Sequence, residues 1–401
     1  MKKKIISGVM APLLVLSAGC GVFPTSSTEN SASDSSIVVE HDDLQKFDEY
    51  NLDIYMKPLW KGDIVYNETL MFVGKSDFAP LLYPAVEIIS VRSYDLTKEY
   101  VRGMDYEYDP GTNSIILGDN TDIPFIWERE YYPATSIPGV TFECTVPGKS
   151  YIAFSEGSYF SSRQVAVTYR HTGTKNLPVP QSQKQAFSGT IEKLQQNQAP
   201  KILFYGDSIT VGGNSSGFID YGPHADIWAK MVFDSLTKKY GCENAEYINT
   251  AVGGWTSQNG LDSLDESVIA YAPDAVFIAF GMNDGGLTPS QHIYKIKKMV
   301  TRIREALPNT EICLVTTMLP NEAVKGFYGK QYAFDTEYLS YLEELKASGE
   351  NKVCVANVTE MHKQLLKVKR YYDMTGNNVN HVNDFTARMY AQTVFQTICG
   401  D

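Results

Sequence analysis

The sequence predicts two successive architectures: a β-rich first half, then an α/β half whose parallel sheet carries helices on both faces. Three observations support this. Between residues 37 and 172, short runs rich in β-branched and aromatic residues are separated by turn clusters such as DPGTN (109–113) and VPGK (146–149), the pattern of a β-sandwich or jelly roll. From residue 201 onward, strand-like runs alternate with helical segments, which builds a parallel sheet. Between the two, the polar stretch 173–186 contains Pro178 and Pro180 and resists regular structure, so it reads as a linker. A chain of 401 residues also exceeds the usual size of a single core.

The first twenty residues are not part of either fold. MKKK is a basic leader, IISGVMAPLLVLSAG is an apolar run too short to span a membrane comfortably, and Cys20 closes it. Leu16-Ser17-Ala18-Gly19-Cys20 resembles a bacterial lipobox, with Ser17 where a large aliphatic residue is usual. The resemblance implies a lipid anchor on Cys20 and an address on the extracellular face of the bacterial cell membrane. An ordinary secretory signal is the alternative. Residues 21–36, GVFPTSSTENSASDSS, are too polar to bury a core and read as a Ser/Thr-rich tether.

Strands are predicted at 64–74, 85–94, 113–118, 140–146, 150–155 and 163–171 in the domain over 37–172. In the last of these, Val165, Val167 and Tyr169 alternate with polar neighbours as in a half-buried strand. The domain over 187–401 opens with a short helix at 190–196. Its strands are predicted at 201–206, 245–252, 273–281, 311–319 and 352–358. Ile293, Ile296, Val300 and Ile303 recur at helical spacing after Pro289, and a final helix runs from about 384 to 397.

Composition narrows the partners. Forty-seven acidic against 35 basic residues give a formal charge of −12, which repels nucleic acid and favours neutral substrates such as glycans or acyl esters. Beyond Cys20 there are five cysteines, at 144, 242, 313, 354 and 399, with neither CxxC spacing nor neighbouring histidines. No zinc site or other metal is predicted, and Cys313 and Cys354 read as small buried hydrophobes.

Ligands of parallel sheets sit beyond the carboxyl ends of the strands, and three polar motifs fall there: YGDSIT (205–210), NTAVGGWTS (249–257) and FGMNDGG (280–286). A fourth, GNNVNHVND (376–384), precedes the last helix. An exposed serine needs a base to take its proton, and acyl transfer needs donors for an oxyanion; His381, glycine-turn N–H groups and an amide side chain are suitable types.

Together the four blocks resemble the SGNH (GDSL-type) hydrolases over roughly residues 200–398. The resemblance implies a three-layer, flavodoxin-like α/β/α domain and an esterase, lipase or carbohydrate deacetylase that needs no cofactor. By the same resemblance Ser208 is the nucleophile and His381 the base. The Ser208 N–H, the Gly254 N–H and the Asn283 amide would form the oxyanion hole. Trp255 and His224 are candidate pocket residues, each equally readable as packing. Asp207 and Asp284 read as loop-holding acids. His41, His171, His292 and His362 carry no partner pattern and read as surface or loop residues.

The chain departs from the family at Asn378, where the triad aspartate usually stands three residues before the histidine; Val382 also replaces a frequent proline. An amide does not stabilise an imidazolium as a carboxylate does, and the Asp-to-Asn change in a serine protease costs about 10⁴ in turnover. Three arrangements are open. A backbone carbonyl accepts the His381 Nδ1 proton, giving a Ser–His dyad; Asp373 reaches it instead; or the site is slow or dead. The dyad is preferred, with Asp373 second. The expected function is a membrane-tethered serine esterase removing small acyl groups, acetyl foremost, from carbohydrate. The alternatives are a broad esterase or lipase on aryl or lipid esters and an inactive carbohydrate-binding lipoprotein.

Overall fold

The computed structural model describes residues 44–172 and 177–400. The expected signal segment with Cys20, the expected tether 21–36 and His41 lie outside the described residues.

The first half is built of antiparallel strands: β1 (Ile64–Met71), β2 (Phe78–Pro80), β3 (Ala85–Ser93), β4 (Tyr106–Asp109), β5 (Ser114–Leu117), β6 (Thr141–Glu143), β7 (Tyr151–Ala153) and β8 (Gln164–His171). They form sheets of order β1-β8-β3 and β2-β5-β4 and the hairpin β6-β7. Leu70 pairs with Val165 and Val65 with Tyr169, and a bulge between Val65 and Glu68 places Asn67 at φ 47°. Residues Leu52–Tyr55 (α1) and Glu128–Tyr131 (α2) are single helical turns.

β8 is not the half-buried strand that its alternation predicts. Gln164, Thr168 and the neighbouring Glu68 and Thr69 of β1 are buried as fully as Val165 and Val167. Thr168 is satisfied within the sheet by Asn67, and the other three find partners in the second half. Gln164 Nε2 donates to the carbonyls of Tyr372 and Thr375 at 2.9 Å each, and Thr69 Oγ1 donates to that of Asp373 at 2.6 Å. Lys369 Nζ lies 2.6 Å from Glu68 Oε1, with both side chains inaccessible to solvent. Polar alternation therefore marks a docking face here, and residues of both halves belong to one compact unit.

The second half opens with α3 (Ser188–Gln195) and contains the strands β9 (Lys201–Gly206), β10 (Glu246–Asn249), β11 (Ala275–Ala279), β12 (Glu311–Val315) and β13 (Val353–Ala356). All neighbours are parallel and the order is β10-β9-β11-β12-β13, the 2-1-3-4-5 arrangement of flavodoxin-like sheets. Between strands lie α4 (Ser208–Val211), α5 (Trp228–Tyr240), α6 (Ser257–Asp262), α7 (Leu264–Ser267), α8 (Pro289–Ala306) and α9 (Phe334–Ala347); α10 (Val358–Leu365) follows β13, and α11 (Asp384–Cys399) closes the domain.

Strand residues alternate between two helical layers. Leu203, Ile278 and Leu314 pack with Ile296, Met299 and Ile303 of α8 and Tyr338 of α9. On the opposite face Phe204 stacks on Phe277 at 4.6 Å and meets Trp228 of α5 edge-on at 5.5 Å; Trp228 in turn neighbours Tyr390 of α11 at 5.8 Å. Such double coverage explains why these strands are apolar runs rather than alternating ones. Cys313 and Cys354 are free and buried side by side within it. Among the described residues no helix is long and apolar enough to cross a membrane.

Candidate active site

The order of strands reverses between β9 and β11, and the crevice at their carboxyl ends is where such sheets bind ligands. At the end of β9, Gly206 pairs with Ala279 of β11. A Cβ at Gly206 would lie 2.4 Å from both the Ala279 carbonyl oxygen and Thr210 Oγ1, so only glycine lets the strand turn there. Asp207 then caps α4 with its side chain, accepting the Ile209 N–H at 3.1 Å. Ser208 is thereby fixed as the first helical residue, half-exposed above the sheet.

Asp207 itself is buried, which pushes its carboxyl up to about 7; the bond from Ile209 opposes this, and the nearby Asp284 carboxylate adds to it. Asp284 is buried too and accepts the Ser257 N–H at 3.0 Å. Both acids hold loops.

His381 stands on the loop between the turn at 371–373 and α11. The Asn377 side-chain oxygen accepts the N–H groups of Val379, Asn380 and His381, each at 3.0 Å, and the His381 carbonyl accepts Thr375 Oγ1 at 2.8 Å. So anchored, the ring places Nε2 2.9 Å from Ser208 Oγ. A Cβ at Gly213 would lie 3.1 Å from the ring, so this glycine makes room for it.

The other ring nitrogen faces two acceptors: Asn214 Oδ1 at 2.8 Å and Glu156 Oε2 at 3.2 Å. Asn214 is buried, and its Nδ2 donates to the carbonyls of Gly157 (3.1 Å) and Gly376 (3.4 Å), so its oxygen is the atom turned to the ring. Two oxygen acceptors on Nδ1 assign the proton there, leaving the Nε2 lone pair for the Ser208 hydroxyl. Glu156 Oε1 accepts Asn377 Nδ2 at 3.2 Å. Partial burial pushes the Glu156 carboxyl up, but the hydrogen bond and charge of His381, with the Asn377 and Asn214 amides, outweigh it and hold the carboxyl below its ordinary range.

Neither residue expected to orient the histidine does so. Asn378 is fully buried at φ 69°, its Oδ1 accepting Tyr131 Oη at 2.9 Å and its Nδ2 donating to the Ala153 carbonyl at 2.9 Å. Asp373 is occupied by Arg370 and the Met71 N–H. The preferred backbone-carbonyl dyad is also absent, since both Nδ1 acceptors are side chains. Asn378→Asp is accordingly expected to leave kcat no higher and to lower stability by about 1–3 kcal/mol, because a carboxylate cannot donate to Ala153. Steady-state rates and thermal melts of the variant check this; a gain in kcat would contradict it.

The remaining predicted residues lie as follows. Gly254 is an exposed turn residue at φ 78°, and a Cβ built on its neighbour Gly253 would lie 3.9 Å from Ser208 Cβ. Asn283 Nδ2 donates to the Trp255 carbonyl at 2.9 Å, which ties the second motif to the third and leaves its other amide proton uncommitted in that bond. Trp255 is half-buried and meets Tyr205 edge-on at 6.2 Å, a packing role. His224 is exposed on a turn, 3.6 Å from Asp220, and no hydrogen bond joins it to Ser208 or His381.

Three histidines expected at the surface are buried. His171 stacks on Tyr83 at 4.4 Å. His292 lies flat on Phe334 with Nδ1 3.1 Å from Asp284 Oδ2. His362 accepts the Leu319 N–H at 3.1 Å, and burial pushes it down to about 3.

Residues 204–385 match the GDSL-like Lipase/Acylhydrolase family. An arylesterase of Vibrio mimicus is 29% identical over 135 residues, which cover 33% of this chain and 60% of the relative. Thioesterase 1/protease 1/lysophospholipase L1 of Escherichia coli is 27% identical over 156 residues, covering 36% of this chain and 68% of the relative. Among solved structures, Axe2, an acetylxylan esterase of Geobacillus stearothermophilus, aligns at TM-score 0.40 and 17% identity over 50% of this chain and 94% of its own. A two-domain esterase active on acetylated mannans aligns at TM-score 0.42 and 17% identity over 55% of this chain and 54% of its own. The segment 204–385 thus matches a GDSL-like lipase/acylhydrolase domain, of the SGNH type that its three strand-end motifs and the block before the last helix resemble.

Proposed function

We propose that this protein is a serine esterase that removes small acyl groups, acetyl foremost, from carbohydrate. The observation that carries the esterase reading is the 2.9 Å contact from Ser208 Oγ to His381 Nε2, on a ring whose Nδ1 is committed to two acceptors. As the Ser208 oxygen attacks the ester carbonyl, its proton passes to Nε2. The oxyanion of the tetrahedral intermediate is taken by the N–H groups of Ser208 and Gly254 and by the free amide proton of Asn283. Collapse breaks the bond to the leaving alcohol, which receives the proton from Nε2. Water, deprotonated by the same nitrogen, then releases the acid and restores the serine.

The carbohydrate part of the reading rests on the acidic, nucleic-acid-averse chain and on the deacetylases of the family. The arylesterase likeness favours a second reading, hydrolysis of aryl or lipid esters. Release of acetate from acetylated oligosaccharides, 4-nitrophenyl acetate and a long-chain acyl ester, beside Ser208→Ala, separates the two. Preference for the oligosaccharide is the expected result, and preference for the long-chain ester would move the substrate to lipid. No release above the Ser208→Ala control on any substrate would favour a binding lipoprotein.

We infer further that Cys20 is lipidated and holds the domain at the extracellular face of the membrane. Cys20→Ala is expected to move the protein from the membrane fraction to the medium. An unchanged distribution would sink the anchor.

A further inference from the structure

We propose that Glu156, contributed by the β half, is the positioning residue that replaces the missing triad aspartate and supplies the negative charge that steadies the His381 imidazolium. The inference rests on the Ser208–His381 reading above.

When Ser208 gives up its proton, the imidazole becomes a cation and its Nδ1–H must face something that favours that charge. Position 378 cannot provide it, because its amide is spent on Tyr131 and Ala153. Two groups reach Nδ1, and they are not equivalent. Asn214, at 2.8 Å and buried, fixes the tautomer and the ring plane but carries no charge. Glu156, at 3.2 Å, is the acid in contact. Asn377 holds the other carboxylate oxygen at 3.2 Å while binding the His381 N–H, so acid and base share one support. A segment following β7 thereby completes the site, and the β half is more than a spacer.

The size of the effect follows from exposure. The Glu156 side chain is 53% accessible, so water screens it, and Asn214 keeps the tautomer when the charge is removed. The loss should therefore fall well short of the roughly 10⁴ seen for a buried triad aspartate, at about 10- to 100-fold.

The test uses the full chain and 4-nitrophenyl acetate. Glu156→Gln is expected to lower kcat about 10- to 100-fold with little change in KM, while its thermal melt matches the wild type. The acid limb of the rate profile should move to lower pH, since the imidazole loses the charge that favours its protonated form. Asp207, a second acid whose carboxyl feels the charge of His381, is present in both proteins and cancels from the comparison. Added formate should restore activity to Glu156→Ala, because the vacated place is open to solvent. A merely structural role would move neither the pH limb nor the formate response. Wild-type rates and an unmoved limb in Glu156→Gln, with Ser208→Ala inactive, would overturn Glu156 alone. Activity retained in Ser208→Ala would overturn the nucleophile and this inference with it.

Discussion

Ser208→Ala is expected to lower kcat by about 10⁴- to 10⁶-fold, the range in which removing the nucleophile of a serine hydrolase disables the set of groups acting with it. The fold should survive. Ser208 is half-exposed, and among the described residues the only hydrogen bond of its hydroxyl is to His381 Nε2, so water takes over the freed nitrogen and stability changes by about 1 kcal/mol or less. His381 stays in place, because Asn377, Thr375 and Asn214 hold it and the serine does not. Melts that coincide with the wild type beside a rate at background are the expected pair of measurements. A variant that keeps a tenth of the wild-type rate would mean that another group attacks the ester.

The second large effect is on stability. Lys369→Ala should destabilise the protein by about 3–5 kcal/mol, the usual result of removing one partner from a buried ion pair. Glu68 would keep its bonds from the Leu82 N–H (2.9 Å) and Tyr169 Oη (2.7 Å) but lose the cation 2.6 Å away, with no access to water. The Thr69 carbonyl would lose a donor at 3.1 Å as well. For a unit of this size the melting temperature should fall on the order of 5 °C. Adding Glu68→Gln should return much of the loss, since the uncompensated charge, rather than the missing contact, is the main cost. A single variant within about 1 °C of the wild type would show that the pair breaks even.

Much of this was legible in the sequence, for physical reasons. The five parallel strands are apolar on both faces because helices cover both, so KILFYG and PDAVFIAFG read directly as strands. The motif residues Ser208 and His381 were readable because each follows a glycine-rich strand end or precedes a helix start that restricts it. The short strands β2 and β4 and the helices α5 and α9 were not anticipated. β2 and β4 are edge strands; β2 (FAP) has no alternation to follow, and β4 (YEYD) alternates over only four residues.

What failed in the site was the partner of Nδ1. Asn214 lies six residues past Ser208 in GGNSSG, and an asparagine after two glycines was a readable turn signal, realised in the structure at φ 63°. Glu156, in the turn FSEGSYF, offered none, because only the docking of the β half brings it to the histidine. The buried Gln164, a polar neighbour of Val165 in the strand read as half-buried, misled for the same reason: its amide matches the carbonyls of Tyr372 and Thr375, not solvent.

The spread of the site along the chain has a kinetic meaning. His381 meets Ser208 across 173 residues, Asn214 across 167 and Glu156 across 225. Contacts of such high contact order close loops whose entropy must be met before the contacts reward it, so they form late. Synthesis must pass residue 381, and both halves must dock, before the imidazole has its neighbours. On the proposed mechanism a half-made or half-folded chain carries no fully working serine, and hydrolytic turnover becomes a reporter of complete folding.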